Sequence, residues 1–250
     1  MNKLAIVSLI LIYLIITDCS GNTAKITPFQ VAYQIAQSPV DEYERARLLQ
    51  FIVLQHAEHG EYDSAVAIVR DIADIDAQSQ SLYSIVAICL EDQDYEKALE
   101  ITELISVPGD RAFALNIIAS TYAKNSELEK AETLSKQSLE VVRKIDDKVQ
   151  QIRMLLFLVD SYVLYEMREE AVMILEEAHQ ILNEVPDTTS AIWFAAITID
   201  LAGAYIDIEE QAMARMLLQK AESLATSIGR SHFQDMRMVD IAHQYARAGE

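Results

Sequence analysis

The sequence predicts an all-α protein, a solenoid of antiparallel helix pairs, on three observations. The first is a phrase written five times. It sets an aliphatic residue beside a second apolar one, places Tyr three residues after that, and places Ala nine residues after the Tyr. It reads Ile118-Ala119-x-x-Tyr122 then Ala131-x-x-Leu134, Leu158-Val159-x-x-Tyr162 then Ala171-x-x-Ile174, and Leu201-Ala202-x-x-Tyr205 then Ala214-x-x-Leu217. Two earlier copies carry His or Cys in the Tyr slot: Ile52-Val53-x-x-His56 then Ala65-x-x-Ile68, and Ile85-Val86-x-x-Cys89 then Ala98-x-x-Ile101. The second observation is helical periodicity along nearly the whole chain, with no stretch alternating at period two for long enough to make a sheet. The third is punctuation. Gly60, Gly109 and Gly229, with Pro39, Pro108 and Pro186, fall between the periodic segments, where a missing side chain or N–H does least harm.

Taken in order, residues 1–19 read as an export signal. Lys3 precedes an apolar run from Leu4 to Ile16, shorter than the ~20 residues of a spanning helix. A positive start, a short apolar core and a polar sequel are the marks of a secretory signal. Cys19 follows directly, then Ser20-Gly21-Asn22. This resembles the lipobox of bacterial lipoproteins, in which cleavage leaves a lipid-modified Cys at the new N-terminus. Asp18 stands where that motif has Gly, Ala or Ser, so plain secretion (for example after Gly21) and an uncleaved anchor remain alternatives. The expectation is an exported protein on the periplasmic or extracellular face, held to the membrane by lipid on Cys19. The other cysteine is Cys89, so lipidation of Cys19 leaves no internal disulfide, and the helical array must hold itself together by its core.

Residues 20–40 read as a linker and a leading helix at about 27–38, with Thr27 as N-cap, Pro28 at the first position and Gln30 as capping-box partner. The repeat domain spans 41–250. Its helix pairs are expected at about 42–58 and 62–75, 78–91 and 94–106, 110–124 and 127–144, 147–165 and 168–184, and 188–206 and 209–228. The alanines that anchor the second helices step by 33, 33, 40 and 43 residues, the period of stacked helix hairpins. A last helix at about 232–247 opens a sixth copy with Ile241-Ala242-x-x-Tyr245; its Arg237, Asp240, Gln244 and Arg247 make a polar stripe that suits a solubilising cap.

The phrase follows from packing. Ile118, Ala119 and Tyr122 share one stripe of the first helix. Ala131 lets the second helix come close, and Leu134 fills the space one turn on. Each hairpin leaves an apolar face that its neighbour covers, so neighbours stabilise one another.

At this spacing, over residues 42–250, the pattern resembles the tetratricopeptide repeat. The early Trp of that family is absent and Ala or Val replaces its first-helix Gly. The resemblance implies a right-handed superhelix of about five pairs plus a terminal helix. It implies ligands held on a concave face built by the first helix of each pair. Carried to this chain, that face comprises Tyr83, Phe113, Asn116, Ser120, Arg153, Leu156 and Asp160. It lacks the regular Lys and Asn pattern that clamps a peptide carboxylate, and an apolar groove for an amphipathic helix or extended peptide fits better. The competing reading is that Tyr83, Phe113 and Leu156 pack between adjacent repeats.

Charge and chemistry narrow the function further. A net charge of −19 argues against nucleic acid, whose binding rests on Lys and Arg neutralising phosphate. It argues against broad docking on an anionic membrane, leaving the N-terminal lipid as the one membrane link. His56 and His59 flank Glu58, but the spacing is not that of a zinc-protease helix and His56 occupies a Tyr slot. Glu176-x-x-His179 lacks the second copy a di-iron bundle needs. Cys89 also fills a Tyr slot, as a packed thiol. No Gly-rich phosphate loop or nucleophile elbow is present, and no metal or cofactor is implied. The leading expectation is a non-catalytic scaffold for a protein or peptide partner. The alternatives are a metal-dependent protein using His56, His59, Glu176 or His179, and an adaptor that self-associates through an end of the array.

Overall fold

The computed structural model describes Tyr33 and residues 41–185, 190–228 and 231–249. Among the described residues it contains eleven α-helices and no strand. The chain divides after Asp110 into two compact units. The first holds α1 (Glu42–Glu58), α2 (Tyr62–Val69), α3 (Ile75–Glu91) and α4 (Tyr95–Thr102). The second holds α5 (Pro108–Lys124, the division falling in its first turn), α6 (Leu128–Val142), α7 (Lys148–Leu164), α8 (Arg168–Glu184), α9 (Ala191–Asp207), α10 (Gln211–Ser227) and α11 (His232–Arg247). The leading helix expected at 27–38 lies outside the described residues except for Tyr33, which packs against Leu49, Ile52 and Ile72. The export signal and Cys19 lie outside them entirely. No described helix is long and apolar enough to cross a membrane.

Caps start several of these helices. The Asp41, Asp74 and Asp147 side chains accept the Glu44, Ala77 and Gln150 backbone N–H at 3.0, 2.7 and 3.0 Å, and Ser231 accepts that of Gln234 at 3.3 Å. Each such bond satisfies one of the donors that a helix start leaves open.

One turn, made five times, joins the two helices of each pair. Four residues after each Tyr slot the backbone turns left-handed: Gly60 (φ 73°), Gln93 (62°), Ser126 (65°), Glu166 (61°) and Glu209 (64°). The next residue's N–H returns to the Tyr-slot carbonyl. Glu61 bonds His56 at 2.9 Å, Asp94 bonds Cys89 at 2.8 Å, Glu127 bonds Tyr122 at 2.9 Å, Met167 bonds Tyr162 at 2.9 Å, and Glu210 bonds Tyr205 at 2.8 Å. This is a Schellman closure, which satisfies carbonyls that the helix end leaves bare. The residue that closes it is the N-cap of the second helix. Its carbonyl accepts the N–H of the phrase's alanine: Ala65, Ala98, Ala131, Ala171 and Ala214 bond back at 3.0–3.2 Å. The nine-residue spacing from Tyr to Ala is therefore the length of one helix end, one closure and one first turn.

All five alanines are fully buried, and Tyr162 and Tyr205 are each only 1% exposed. A larger side chain in the Ala position would push the second helix off the first. The first helices α1, α3, α5, α7 and α9 all have 17 residues. The second helices vary: α2 and α4 have eight, α6 has 15, and α8 and α10 have 17. The rise in step from 33 to 40 residues is thus two added turns of α6.

The short second helices end earlier than the expected 75 and 106. After Val69 and after Thr102 the chain tightens into i→i+3 bonds, Ile72 N–H to Val69 O at 3.0 Å and Ile105 N–H to Thr102 O at 3.2 Å. Each drops an Ile into the core, at 1% and 2% exposure. Asp74, two residues on, then caps α3 and starts it at Ile75, ahead of the expected 78.

Within the first unit α1 packs on α2 and on α3, and α3 on α4. Within the second, α7 packs on α8 and α9, α9 on α10, and α11 on both α9 and α10. A continuous core of residues from Ala112 to Ile241 runs through this second unit. Within each unit neighbouring first helices therefore touch, α1 on α3 in the first and α7 on α9 in the second.

Candidate binding surface

In the second unit α7 and α9 carry the same spacing. Arg153, Leu156, Phe157 and Asp160 stand at i, i+3, i+4 and i+7 on α7, and Asp200, Gly203, Ala204 and Asp207 do so on α9. Such residues share one side of a helix. With Gln244 and Arg247 of α11 they line a cleft of about 310 Å³. Leu156 and Phe157 are half-buried and form its apolar wall, while Arg153, Asp160, Asp200, Asp207 and Arg247 are exposed at its rim.

The charges are arranged unevenly. Arg247 pairs with Asp207 and also donates to the Gln244 side-chain oxygen at 2.8 Å. The Arg153 guanidinium lies 5.2 Å above the Trp193 ring, a cation–π contact, and Trp193 is itself 54% exposed. Asp160 has no hydrogen bond or ion pair among the described residues. The surrounding protein withdraws water from the Asp160 and Asp200 carboxyls and raises both pKa values. Asp207 adds to the rise at Asp160, whereas Arg153 and Arg237 oppose it at Asp200. Gly203 sets the depth of the cleft: a Cβ there would stand 3.2 Å from Gln244 Nε2 and 3.4 Å from Arg247 Nη1.

Of the residues expected on the ligand face, Arg153, Leu156 and Asp160 meet in this cleft. Phe113, on α5, is half-buried and extends the apolar wall: its ring lies 4.7 Å from that of Phe157, tilted by 34°. Ser120 is half-buried on the same helix. Asn116 is a correction. It is 1% exposed, and its amide donates to Ser161 Oγ at 2.8 Å, so it ties α5 to α7 beneath the face instead of standing on it. A polar side chain buried between two helices needs such a partner. Tyr83 belongs to the first unit, on α3, where it is half-buried and burial raises its phenol pKa. That unit has an open recess of its own, about 760 Å³ between α1 and α3, lined by Tyr43, Arg47, Gln50, Asp76 and Gln80 among others. Tyr43 is 70% exposed, with the Arg47 guanidinium 5.9 Å from its ring.

Sequence reasoning missed Phe157, Asp200 and Asp207. The repeated i, i+3, i+4, i+7 spacing was the available signal.

The remaining polar suspects serve the packing. His56 Nδ1 lies 2.5 Å from Glu61 Oε2, and His59 Nδ1 lies 2.7 Å from the Gln55 carbonyl, so both close the first turn. His179 sits edge-on to Tyr205 with ring centroids 6.5 Å apart, and burial lowers its pKa. Cys89 is a fully buried free thiol, pushed up to about 11 first by burial and then by Asp94. Among the described residues no group of three His, Cys, Asp or Glu side chains is placed to hold a metal ion.

Comparison with solved structures returns helical repeat proteins. Ton1535 from Thermococcus onnurineus NA1 is 18% identical with a TM-score of 0.45, over 75% of this chain and 55% of that one, so this chain spans little more than half of its length. A Podosopora anserina protein described as nearly identical TPR-like repeats is 17% identical with a TM-score of 0.45, over 75% and 98% of the two chains. BtubC (BKLC) from P. vanneervenii is 15% identical with a TM-score of 0.46, over 82% and 89%. No curated protein matches the chain. Residues 110–184, from the start of α5 to the end of α8, match the family model of the tetratricopeptide repeat, a repeat that generally mediates protein–protein interaction.

Proposed function

We propose that this chain is a non-catalytic interaction scaffold that holds a segment of a protein partner against the first-helix face of its second unit. The observation that carries the reading is the cleft where α7, α9 and α11 meet. It joins an apolar wall of Leu156 and Phe157, extended by Phe113, to a charged rim. Peptide-binding surfaces combine such apolar anchoring positions with polar groups that set register. The candidate chemical residues support the same reading, since His56, His59 and His179 are engaged in turns and packing.

The test is a photo-crosslinking residue placed at Leu156 and, as a control, at Glu222, exposed on α10. Capture of a partner from the native cell at position 156 and not at 222 is expected, and it should weaken in Phe113→Ala with Phe157→Ala while helicity is retained. Equal capture at both positions refutes the reading. A stability loss above about 3 kcal/mol in that double variant would show that the two rings are core.

We also propose export and lipid anchoring at Cys19, supported by the charge, apolar run and Cys order of residues 1–22. Cys19→Ser should release the protein from the membrane fraction; an unchanged distribution refutes the anchor.

A further inference from the structure

We propose that the segment held in the α7–α9–α11 cleft is basic, and that it presents a Lys or Arg side chain to Asp160 and Asp200 along the Leu156–Phe157 wall. This rests on the first-helix face being the binding surface, and it names the chemistry of the partner.

The charge balance of the cleft carries the inference. Three carboxylates, Asp160, Asp200 and Asp207, line the cleft with two guanidinium groups, and Arg237 of α11, itself paired with Asp240 at 3.0 Å, acts on Asp200 from beside it. Arg247 is already engaged by Asp207 and Gln244, and Arg153 rests on the Trp193 ring. Asp160 is left with no hydrogen bond or ion pair among the described residues, and the charge that acts on it is the like charge of Asp207. A cation entering here relieves that repulsion; an anion, such as a peptide C-terminus, adds to it.

The shape of the cleft agrees with its charge. Its 310 Å³ lies at the small end of ligand pockets, enough for one or two side chains. Leu156 and Phe157 offer apolar surface to the methylene stem of Lys or Arg, whose charged head then reaches the rim carboxylates. A bare divalent ion fits less well, because the carboxylates are not grouped as metal ligands. The net charge of −19 steers a basic segment in from a distance, while the cleft selects among such segments on contact.

The probes are two fluorescein-labelled peptides of about 15 residues with the same Leu and Ala positions, one with Lys and the other with Glu at every remaining position. Fluorescence anisotropy measures their binding to the full chain. The Lys peptide should bind at least about tenfold more tightly than the Glu peptide, and Asp160→Asn with Asp200→Asn should remove about tenfold of that preference. Glu129→Gln with Glu222→Gln removes the same charge from exposed positions on the second helices, and should change it by no more than about twofold. Asp160→Lys should weaken the Lys peptide and strengthen the Glu peptide, with circular dichroism confirming the fold of each variant.

If both peptides bind equally, or if the two pairs of neutralised acids have equal effects, the basic-partner proposal is wrong while the face stands as a binding surface. If neither peptide binds and no partner is captured at position 156, both proposals are wrong.

Discussion

Glu166→Gly should make the second unit more stable, and the reason is visible in the turns. Glu166 holds φ at 61° at the position where the first pair has Gly60 at 73°. An L-residue in this left-handed region is held there at a cost of about 1–2 kcal/mol, because its Cβ crowds the following carbonyl oxygen. Glycine removes that strain but gains freedom in the unfolded chain, which takes back about 0.4–1 kcal/mol. The balance is a gain of about 0.5–1 kcal/mol. Little else is lost, since the Glu166 side chain is exposed and makes no hydrogen bond or ion pair among the described residues. Ser126→Gly acts on a separate turn of the same unit, so the pair should add to about 1–2 kcal/mol. Glu209→Gly should gain less, because it gives up the 3.4 Å ion pair with Arg168. Gly60→Ala is the reverse experiment. A Cβ there meets no atom within 4 Å, so the expected cost of about 0.5–1 kcal/mol is the same backbone balance run in reverse, with no packing contribution. Urea titration followed by far-UV circular dichroism reads each change as a shifted midpoint at constant slope. A lower midpoint for Glu166→Gly, or an unchanged one for Gly60→Ala, would refute the argument.

Three further outcomes are expected. The Tyr205 hydroxyl is buried without a partner among the described residues, so Tyr205→Phe should be neutral or stabilising by up to about 1 kcal/mol in the same titration. The Tyr162 and Tyr205 phenols are both pushed up to about 12 by burial. The folded state therefore keeps protons that the unfolded chain releases near pH 10, and stability should fall between about pH 10 and 12. Tyr162→Phe with Tyr205→Phe should shift that alkaline loss of helicity to higher pH, and an unshifted midpoint refutes the assignment. Ala171→Leu should cost about 1–3 kcal/mol, because Ala171 is fully buried where α8 crosses α7; a cost below about 0.5 kcal/mol in urea would show that the helices do not need close approach there.

The helix pairs were legible because packing writes the same residues at the same places. Tyr122, Tyr162 and Tyr205 fill one slot, and Ala131, Ala171 and Ala214 let the second helix close on it. The turn between them was not legible. Its left-handed residue is glycine only at Gly60; Gln93, Ser126, Glu166 and Glu209 adopt the same backbone without the sequence mark that usually signals it. The early stops of α2 and α4 were hidden for a similar reason. Ile72 and Ile105 continue a helical apolar pattern, yet each reaches the core from a tightened turn beyond the helix.

The candidate face was harder to read, because two stripes with different rules share each first helix. The stripe facing the second helix must match from copy to copy. The other stripe need not: Phe113, Asn116 and Ser120 on α5 occupy the positions of Arg153, Leu156 and Asp160 on α7, and of Ala196, Ile199 and Gly203 on α9. Asn116 shows the consequence, since the same position is a buried tie on α5 and a half-buried cleft residue on α7. Gly203 shows it more sharply. Glycine within a helix costs about 1 kcal/mol relative to alanine, yet here it lies in the middle of α9, in the floor of the cleft. A methyl group at that point would press on Gln244 and Arg247 of α11. Local helix stability is therefore given up at the position where a third helix lays its polar side chains across the cleft. In the repeat phrase Gly203 falls between Ala202 and Tyr205, at a place the phrase leaves unspecified, so its role follows from the approach of α11 and not from the motif.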